Sequence, residues 1–205
     1  MKVKVKICGI QTYEDATAAI AADADMLGFI FVKDSKRAID VKTAKSTLDK
    51  VRRKIAIVGV FKNNSLEEVQ TICAQMNFDL VQLHGQEDQQ FCEKVARPVI
   101  KSFGLVSDFA VADTVQQLAQ YDVTHYLIDR QNPGEGEPLS LSNAALIANA
   151  YPLFFAGGLT PENVADVVRE VKPFAVDVIS GVKTKGKFDY EKMKRFVKNA
   201  KGVNL

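Results

Sequence analysis

The sequence predicts a (β/α)8 barrel, a TIM barrel, built as a single domain from residues 1–205. Eight strand-like hydrophobic runs alternate with segments that carry helical signals. Strict alternation requires parallel strands joined by right-handed crossovers, which leaves an open doubly wound sheet or a closed barrel. Eight repeats favour closure, and 205 residues with 47% hydrophobic content suffice for one core of this kind.

Each predicted strand is a short, mostly apolar run. The runs are VKVKI (3–7), MLGFIFV (26–32), KIAIVGVF (54–61), LVQLH (80–84), VIKSFG (99–104), HYLID (125–129), LFFAG (153–157) and AVDVIS (175–180). Polar or glycine positions lie at the end of four of them or directly after it, at Cys8, Asp129, Gly157-Gly158 and Ser180-Gly181. Because the carboxyl ends of barrel strands meet at one rim, where barrel enzymes hold their active sites, the pattern predicts an enzyme.

The helices are predicted by their start signals. Thr12–Asp15 leads into an alanine-rich segment, and Ser65 can cap a helix by accepting from the backbone amide of Glu68. Further along, the Thr160–Asn163 segment places Pro161 at a first helical position. These signals fall between the strand runs, as the alternating fold requires.

Strand parity predicts which side chains face the barrel interior. In the first strand Val5 and Ile7 share the face suited to packing on helices, so Lys6 and Cys8 must point inward. A lysine inside a barrel is costly unless it meets a carboxylate or the wet rim, so Lys6 is expected to have a partner near the site. Its ammonium group is expected to favour the Cys8 thiolate near neutral pH.

The same parity brings polar residues of two other strands to the upper rim. Gln82 and His84 share one face of the fourth strand, and Leu127 and Asp129 share one face of the sixth. His84 and Asp129 are therefore both expected at the mouth of the barrel.

Two glycine turns predict a phosphate site. Gly157-Gly158 and Ser180-Gly181 each lie between a strand and a helix, where unshielded backbone amides and a helix dipole can hold phosphate oxygens. They follow the seventh and eighth strands, where barrels often bind phosphate. The turns could instead serve turn geometry alone, but their joint placement favours phosphate.

Seven motifs, in order along nearly the whole chain, resemble the phosphoribosylanthranilate isomerase family of tryptophan biosynthesis. They are Lys6–Ile10 (KICGI), Gly28–Phe31 (GFIF), Ser35–Arg37 (SKR), Val58–Phe61 (VGVF), Gln82–Gly85 (QLHG), Gly157–Leu159 (GGL) and Pro173–Val182 (PFAVDVISGV). The combination is far more specific than any single motif.

The resemblance implies an Amadori rearrangement of N-(5'-phosphoribosyl)anthranilate that uses neither cofactor nor metal. The general acid of the family falls on Asp129 and the general base on Cys8. We expect the barrel mouth to raise the pKa of Asp129, because an acid must hold its proton until substrate arrives, while Cys8 must lose its proton readily.

The resemblance also implies the binding residues. Arg37 matches the position that pairs with the anthranilate carboxylate, a contact suited to guanidinium. Asp177 matches the family position whose carboxylate faces the sugar, and His84 matches a position at the rim where substrate binds. The implied phosphate cradle consists of Gly157, Gly158, Ser180 and Gly181.

Two segments depart from the family pattern. Where the family usually has a GGxG loop followed by FDW, this chain reads QNPGEGEPLS from Gln131 to Ser140, with Glu135 and Glu137 expected to face solvent. Lys183 follows the SGV motif where the family commonly has glutamate.

Several of these residues also have purely structural interpretations. Cysteine is often a small buried hydrophobe, which is our interpretation of Cys73 and Cys92 in helical segments and remains open for Cys8. Asp129 could cap a helix or loop, and His84 could satisfy a backbone carbonyl group.

Arg37 could instead be a solvated partner of Asp34 or Asp40, a kind of surface pair that contributes little to stability.

Two other functions stay open at this point. An indoleglycerol-phosphate synthase is disfavoured, because its chemistry calls for lysine and glutamate at strand ends. A diverged barrel that binds a phosphorylated ligand without turnover is the main alternative, motivated by the altered loop after Asp129.

Composition limits the partners. The net charge of +2 is spread along the chain, so nucleic acid is not an expected partner. No apolar run is long enough to span a bilayer, and the N-terminal MKVKVKICGI has no signal-peptide pattern. Three cysteines without zinc-type spacing fit a reduced compartment. We expect a cytoplasmic monomer that binds a small phosphorylated molecule.

Overall fold

The computed structural model describes residues 2–33, 35–51, 54–131 and 137–203. Within these ranges, eight parallel strands close into a barrel in the order β1 to β8, as the sequence predicted. The strands are β1 Lys4–Cys8, β2 Met26–Ile30, β3 Ala56–Phe61, β4 Leu80–Leu83, β5 Val99–Leu105, β6 His125–Arg130, β7 Leu153–Phe155 and β8 Ala175–Val178.

A helix follows each strand. The helices are α1 Tyr13–Ala21, α2 Val41–Val51, α3 Leu66–Met76, α4 Gln89–Lys94, α5 Val111–Leu118, α6 Leu141–Ala150, α7 Val164–Val171 and α8 Tyr190–Lys201. Between β8 and α8 lie a 3-10 turn, Ser180–Val182, and a small hairpin of β9 Lys183–Thr184 and β10 Lys187–Phe188.

Two of the predicted helix starts are confirmed, and one is wrong in position. Thr12 forms a complete capping box at α1, and the Ser65 hydroxyl accepts from the Glu68 amide at α3. Pro161 is not the first residue of α7, which begins at Val164. The Asn163 side chain accepts from the Thr160 amide at 2.8 Å, which holds the segment as a turn ahead of the helix.

The strands divide the apolar residues between two cores, as strand parity predicted. Val5 and Ile7 belong to the layer between the barrel and its helices. Cys8 belongs to the inner core, which is filled from all around the barrel. Its other buried members are Met26, Ile30, Val58, Val60, Ile100, Leu127, Phe154, Ala156 and Ala175. The alternation of the pleat therefore fixes which residues can reach the mouth.

Strand register determines two contacts near the mouth. The β1–β8 pairing places Lys6 opposite Asp177, and the β1–β2 pairing places Cys8 opposite Gly28. The Lys6–Asp177 pair joins the first and last strands, so it depends on closure of the sheet, whereas the Cys8–Gly28 pair joins two consecutive strands.

Gly59 in β3 leaves room for the Phe78 ring. A Cβ atom at Gly59 would lie 2.5 Å from Cε2 of Phe78, which is buried among aromatic rings. We expect Gly59→Ala to lower the free energy of unfolding by about 1–3 kcal/mol, the usual cost of overpacking a core. Urea titration measures the difference. The matched control is Gly104→Ala in β5, where the nearest atom would be 3.3 Å away, and equal stability of the two variants would contradict the prediction.

Candidate active site

A cavity of about 480 Å³ opens at the carboxyl ends of the strands. Eight of the nine predicted site residues line it: Cys8, Arg37, His84, Asp129, Gly157, Gly158, Asp177 and Ser180. They come from β1, β6, β8 and the segments after β2, β4, β7 and β8. Barrel closure therefore brings together residues spread over most of the chain, as strand-end placement predicted.

Gly181, the ninth predicted residue, lies outside the lining of this cavity. A Cβ atom there would lie 1.8 Å from the carbonyl oxygen of Leu159. Glycine is therefore required at this position for the turn after β8 to pack on the turn after β7. A phosphate contact by Gly181 stays a prediction.

Lys6 and Asp177 form a buried ion pair below the cavity. Lys6 Nζ lies 3.0 Å from both carboxylate oxygens, and the Lys6 side chain is fully buried. Burial alone would lower the pKa of Lys6, but Asp177 and Cys8 raise it above its usual value, so the ammonium persists. Asp177 is thus the partner that the sequence required for Lys6 without identifying it.

Cys8 differs from its predicted ionisation. Burial raises the pKa of its thiol to about 11, against the opposing effect of the Lys6 ammonium. The expectation of a thiolate near neutral pH in the free protein is wrong, because the cost of removing the sulfur from water exceeds the attraction of one cation that is already paired with Asp177. A Cβ at Gly28 would lie 2.6 Å from Cys8 Sγ, so Gly28 leaves the space that the sulfur occupies.

Alkylation of Cys8 measures this pKa. In a Cys73→Ser/Cys92→Ser background, the rate with iodoacetamide should rise about tenfold per pH unit up to about pH 11, because only the thiolate reacts. Lys6→Met should raise the pKa of Cys8 further, since Lys6 lowers it. The control is Lys4→Met, which removes an exposed lysine from the same strand. A rate that levels off near pH 8 would contradict the predicted titration.

Asp129 lines the cavity with a carboxyl group whose pKa is raised. Burial raises the pKa of its carboxyl group to about 6, although the backbone amide of Arg130, which donates to Oδ1 at 2.7 Å, opposes the shift. A Cβ at Gly157 would lie 2.9 Å from the same Oδ1, so this glycine makes room for the carboxyl group.

His84 is held by a neighbour on its own strand segment. Its Nδ1 lies 3.0 Å from Nε2 of Gln82. Burial, reinforced by Lys6, Lys62 and Lys101, lowers the pKa of His84 to about 4. The imidazole is therefore neutral in the free protein at neutral pH.

Arg37 lies at the wall formed by the segment after β2. Among the described residues it makes no ion pair, and Asp40 instead accepts from the Thr43 amide. The other surface partner considered, Asp34, lies outside the described residues. Lys183 lies nearby, and burial and then the charge of Arg37 lower its pKa. This wall therefore carries positive charge toward the cavity.

The glycine turn after β7 has a backbone conformation that favours glycine. Gly157 and Gly158 have φ of 95° and 73°, and both line the cavity. A Cβ on Gly158 would lie 2.8 Å from Nη2 of Arg130, so the guanidinium packs against this turn.

Sequence reasoning missed Arg130, which also lines the cavity. Its signal was available, because it directly follows Asp129 at a strand end. Lys33 and Lys62 line the same cavity and were also missed. Of the altered loop, Glu137 is exposed as expected, whereas residues 132–136, with Glu135, lie outside the described residues.

Among the described residues no three histidine, cysteine or acidic side chains gather in a way that could hold a metal ion. Over the same ranges, no helix has the length and apolar character that a membrane span needs.

Fold and site together define a barrel enzyme with a cavity suited to a small anionic molecule. A sequence model described as N-(5'-phosphoribosyl)anthranilate (PRA) isomerase matches residues 5–199. The chain belongs to this isomerase family, and the fold and resemblance predicted from the sequence are confirmed.

Individual proteins agree with this assignment. The N-(5'-phosphoribosyl)anthranilate isomerase of Geotalea uraniireducens is 40% identical over 98% of this chain and 99% of its own length. Monomers of the dimeric phosphoribosylanthranilate isomerase of Thermotoga maritima are 34% identical, with a TM-score of 0.85 over 98% of this chain and 100% of theirs. A phosphoribosyl anthranilate isomerase solved in complex with reduced 1-(o-carboxyphenylamino)-1-deoxyribulose 5-phosphate is 35% identical, with a TM-score of 0.85 over 98% of this chain and 100% of that chain.

Proposed function

We propose that the chain converts N-(5'-phosphoribosyl)anthranilate to 1-(2-carboxyphenylamino)-1-deoxyribulose 5-phosphate in tryptophan biosynthesis, with Asp129 as general acid and Cys8 as general base. The observation that carries the assignment of roles is that both groups line one cavity, which Arg37 and a glycine turn also line. An acid, a base and sites for two anions are the parts that this reaction needs.

Asp129 acts first. Its protonated carboxyl group gives a proton to the ring oxygen of the ribose, the bond from that oxygen to C1 breaks, and the nitrogen lone pair forms an iminium ion. The raised pKa of Asp129, about 6, keeps a useful fraction of the acid protonated near neutral pH.

Cys8 acts second, as the thiolate. It removes the proton from C2, and the electron pair of the C–H bond moves to form the enolamine, which tautomerises to the product ketone. Cys8 gives up its thiol proton to solvent before it accepts the proton from C2, and each step of the rearrangement includes a proton transfer. The iminium cation favours the thiolate by the same charge effect as Lys6, so ring opening opposes the burial that raises the pKa of Cys8.

Two different groups of hydrogen-bond donors in the cavity wall suit the two anionic ends of the substrate. The planar guanidinium of Arg37 suits the anthranilate carboxylate. Amides of the Gly157-Gly158 turn and of Ser180 and Gly181 suit the phosphate. Asp177 faces the sugar from its ion pair with Lys6, and His84 lies at the same rim.

A turnover assay tests the proposal. Purified protein added to N-(5'-phosphoribosyl)anthranilate should cause loss of substrate fluorescence, with the deoxyribulose product identified by mass spectrometry. Thermal stabilisation by the substrate without turnover would instead support the alternative of a binding barrel. Neither turnover nor stabilisation would contradict both functions.

We also propose that the chain is a cytoplasmic monomer. Eight of the nine proposed site residues line one cavity within a single chain, which supports the monomer. Analytical ultracentrifugation over a range of concentrations tests this, and a stable dimer would contradict it.

A further inference from the structure

Gln82 stands beside the proposed catalytic groups without a role in the mechanism. Its side chain is on the inner face of β4, is 2% exposed and lines the cavity. Its Nε2 lies 3.0 Å from Nδ1 of His84, two residues along the chain.

The structure turns the nitrogen of the Gln82 amide toward the ring, and in this orientation the contact favours one tautomer of His84. An amide nitrogen can only donate a hydrogen bond, so Nδ1 must accept. In a neutral imidazole the proton then resides on Nε2, and the ring becomes a donor at its other end. Burial and the charges of Lys6, Lys62 and Lys101 keep the ring neutral, although Glu87 opposes them.

The other end of the amide has no partner. Gln82 Oε1 is buried and accepts no hydrogen bond within the part of the chain that the structure describes. Buried polar atoms are nearly always hydrogen-bonded, so an acceptor in a cavity wall indicates a donor supplied by a ligand.

We propose that Gln82 is a substrate-positioning residue: its amide nitrogen holds His84 as the Nε2–H tautomer, and its Oε1 accepts a hydrogen bond from a hydroxyl or N–H group of the bound substrate. The identity of that substrate rests on the proposed function. The amide thereby presents one acceptor and, through His84, one donor at adjacent points of the cavity wall.

Nitrogen-15 NMR of the free protein tests the first half without any turnover. The chain has two histidines, and His125, packed between Phe154 and Phe174 at the start of β6, serves as internal reference. Wild type should show His84 protonated at Nε2. Gln82→Glu should move the proton to Nδ1, because a carboxylate can only accept a hydrogen bond. Gln82→Met should remove the preference of His84 for either tautomer, because methionine does not pair with Nδ1 in this way. An Nδ1–H tautomer in wild type would overturn the assignment.

Ligand affinity tests the second half. Calorimetry with reduced 1-(o-carboxyphenylamino)-1-deoxyribulose 5-phosphate should give about tenfold weaker binding for Gln82→Met, in line with loss of one buried hydrogen bond. His125→Gln is the control for a substitution inside the barrel. His125 lies at the start of β6, at the other end of that strand from Asp129, so this variant should leave affinity unchanged. Unchanged affinity in Gln82→Met would overturn the acceptor role.

The two failures can be told apart. If wild type neither binds this compound nor turns over substrate, the proposed function fails and, with it, the acceptor role for this substrate, whereas the NMR experiment still decides the pairing of Gln82 with His84. If wild type is active and Gln82→Met matches it in kcat, KM and affinity, the positioning role alone fails.

Discussion

Replacing Asp129 with asparagine should lower kcat by about 10²–10⁴-fold, the range that one general acid contributes. The amide cannot protonate the ribose oxygen, yet it keeps the shape of the side chain and an oxygen that can accept from the Arg130 amide. Binding of the reduced product analogue should change little. Steady-state kinetics by substrate fluorescence, with calorimetry for the analogue, separate the two quantities.

A stability measurement shows that the variant is folded. Because the folded state raises the pKa of Asp129 from 3.8 to about 6, its ionised form destabilises the protein above that range and not below it. Asp129→Asn should therefore be more stable than wild type near pH 8, by on the order of 2–3 kcal/mol, and nearly equal near pH 4. Full activity in Asp129→Asn would exclude this residue as the acid.

Cys8→Ser should also lower kcat by about 10²–10⁴-fold, because a hydroxyl group does not ionise to a useful base in this pH range. The serine oxygen is smaller than sulfur, so the space beside Gly28 is not overfilled. Proton exchange at C2 of the substrate, followed in deuterated water, should be lost together with turnover.

Cys73→Ser is the matched control, since Cys73 is also buried but lies in α3, away from the cavity. It should lose stability and keep kcat. If Cys8→Ser retained C2 exchange, another group would have to be the base.

Local patterns predicted most of the fold. Alternation of strand runs and helix starts sets the order of elements, because periodicity and capping are properties of neighbouring residues. The first residue of α7 was mispredicted because a side-chain contact from Asn163 to Thr160 shapes that turn, and a proline rule does not report such a contact. Strand parity also predicted that Cys8 and Asp129 face inward, since the pleat alternates without exception along these strands.

Side-chain contacts that depend on tertiary packing could not be predicted in the same way. Lys6 needed a carboxylate, but its partner, Asp177, lies 171 positions away and is selected by the β1–β8 register. The Gln82 amide lies two residues from His84, yet its orientation depends on the inner core around it.

By itself the sequence determined the fold, the family and most of the residues at the rim, because these depend on local periodicity and on motifs in order. Only the tertiary structure decided the ionisation of those residues. The cost of leaving a charge without water depends on everything packed around it, which is why Lys6 remains charged, Asp129 holds its proton to about pH 6 and Cys8 holds its proton well above neutrality.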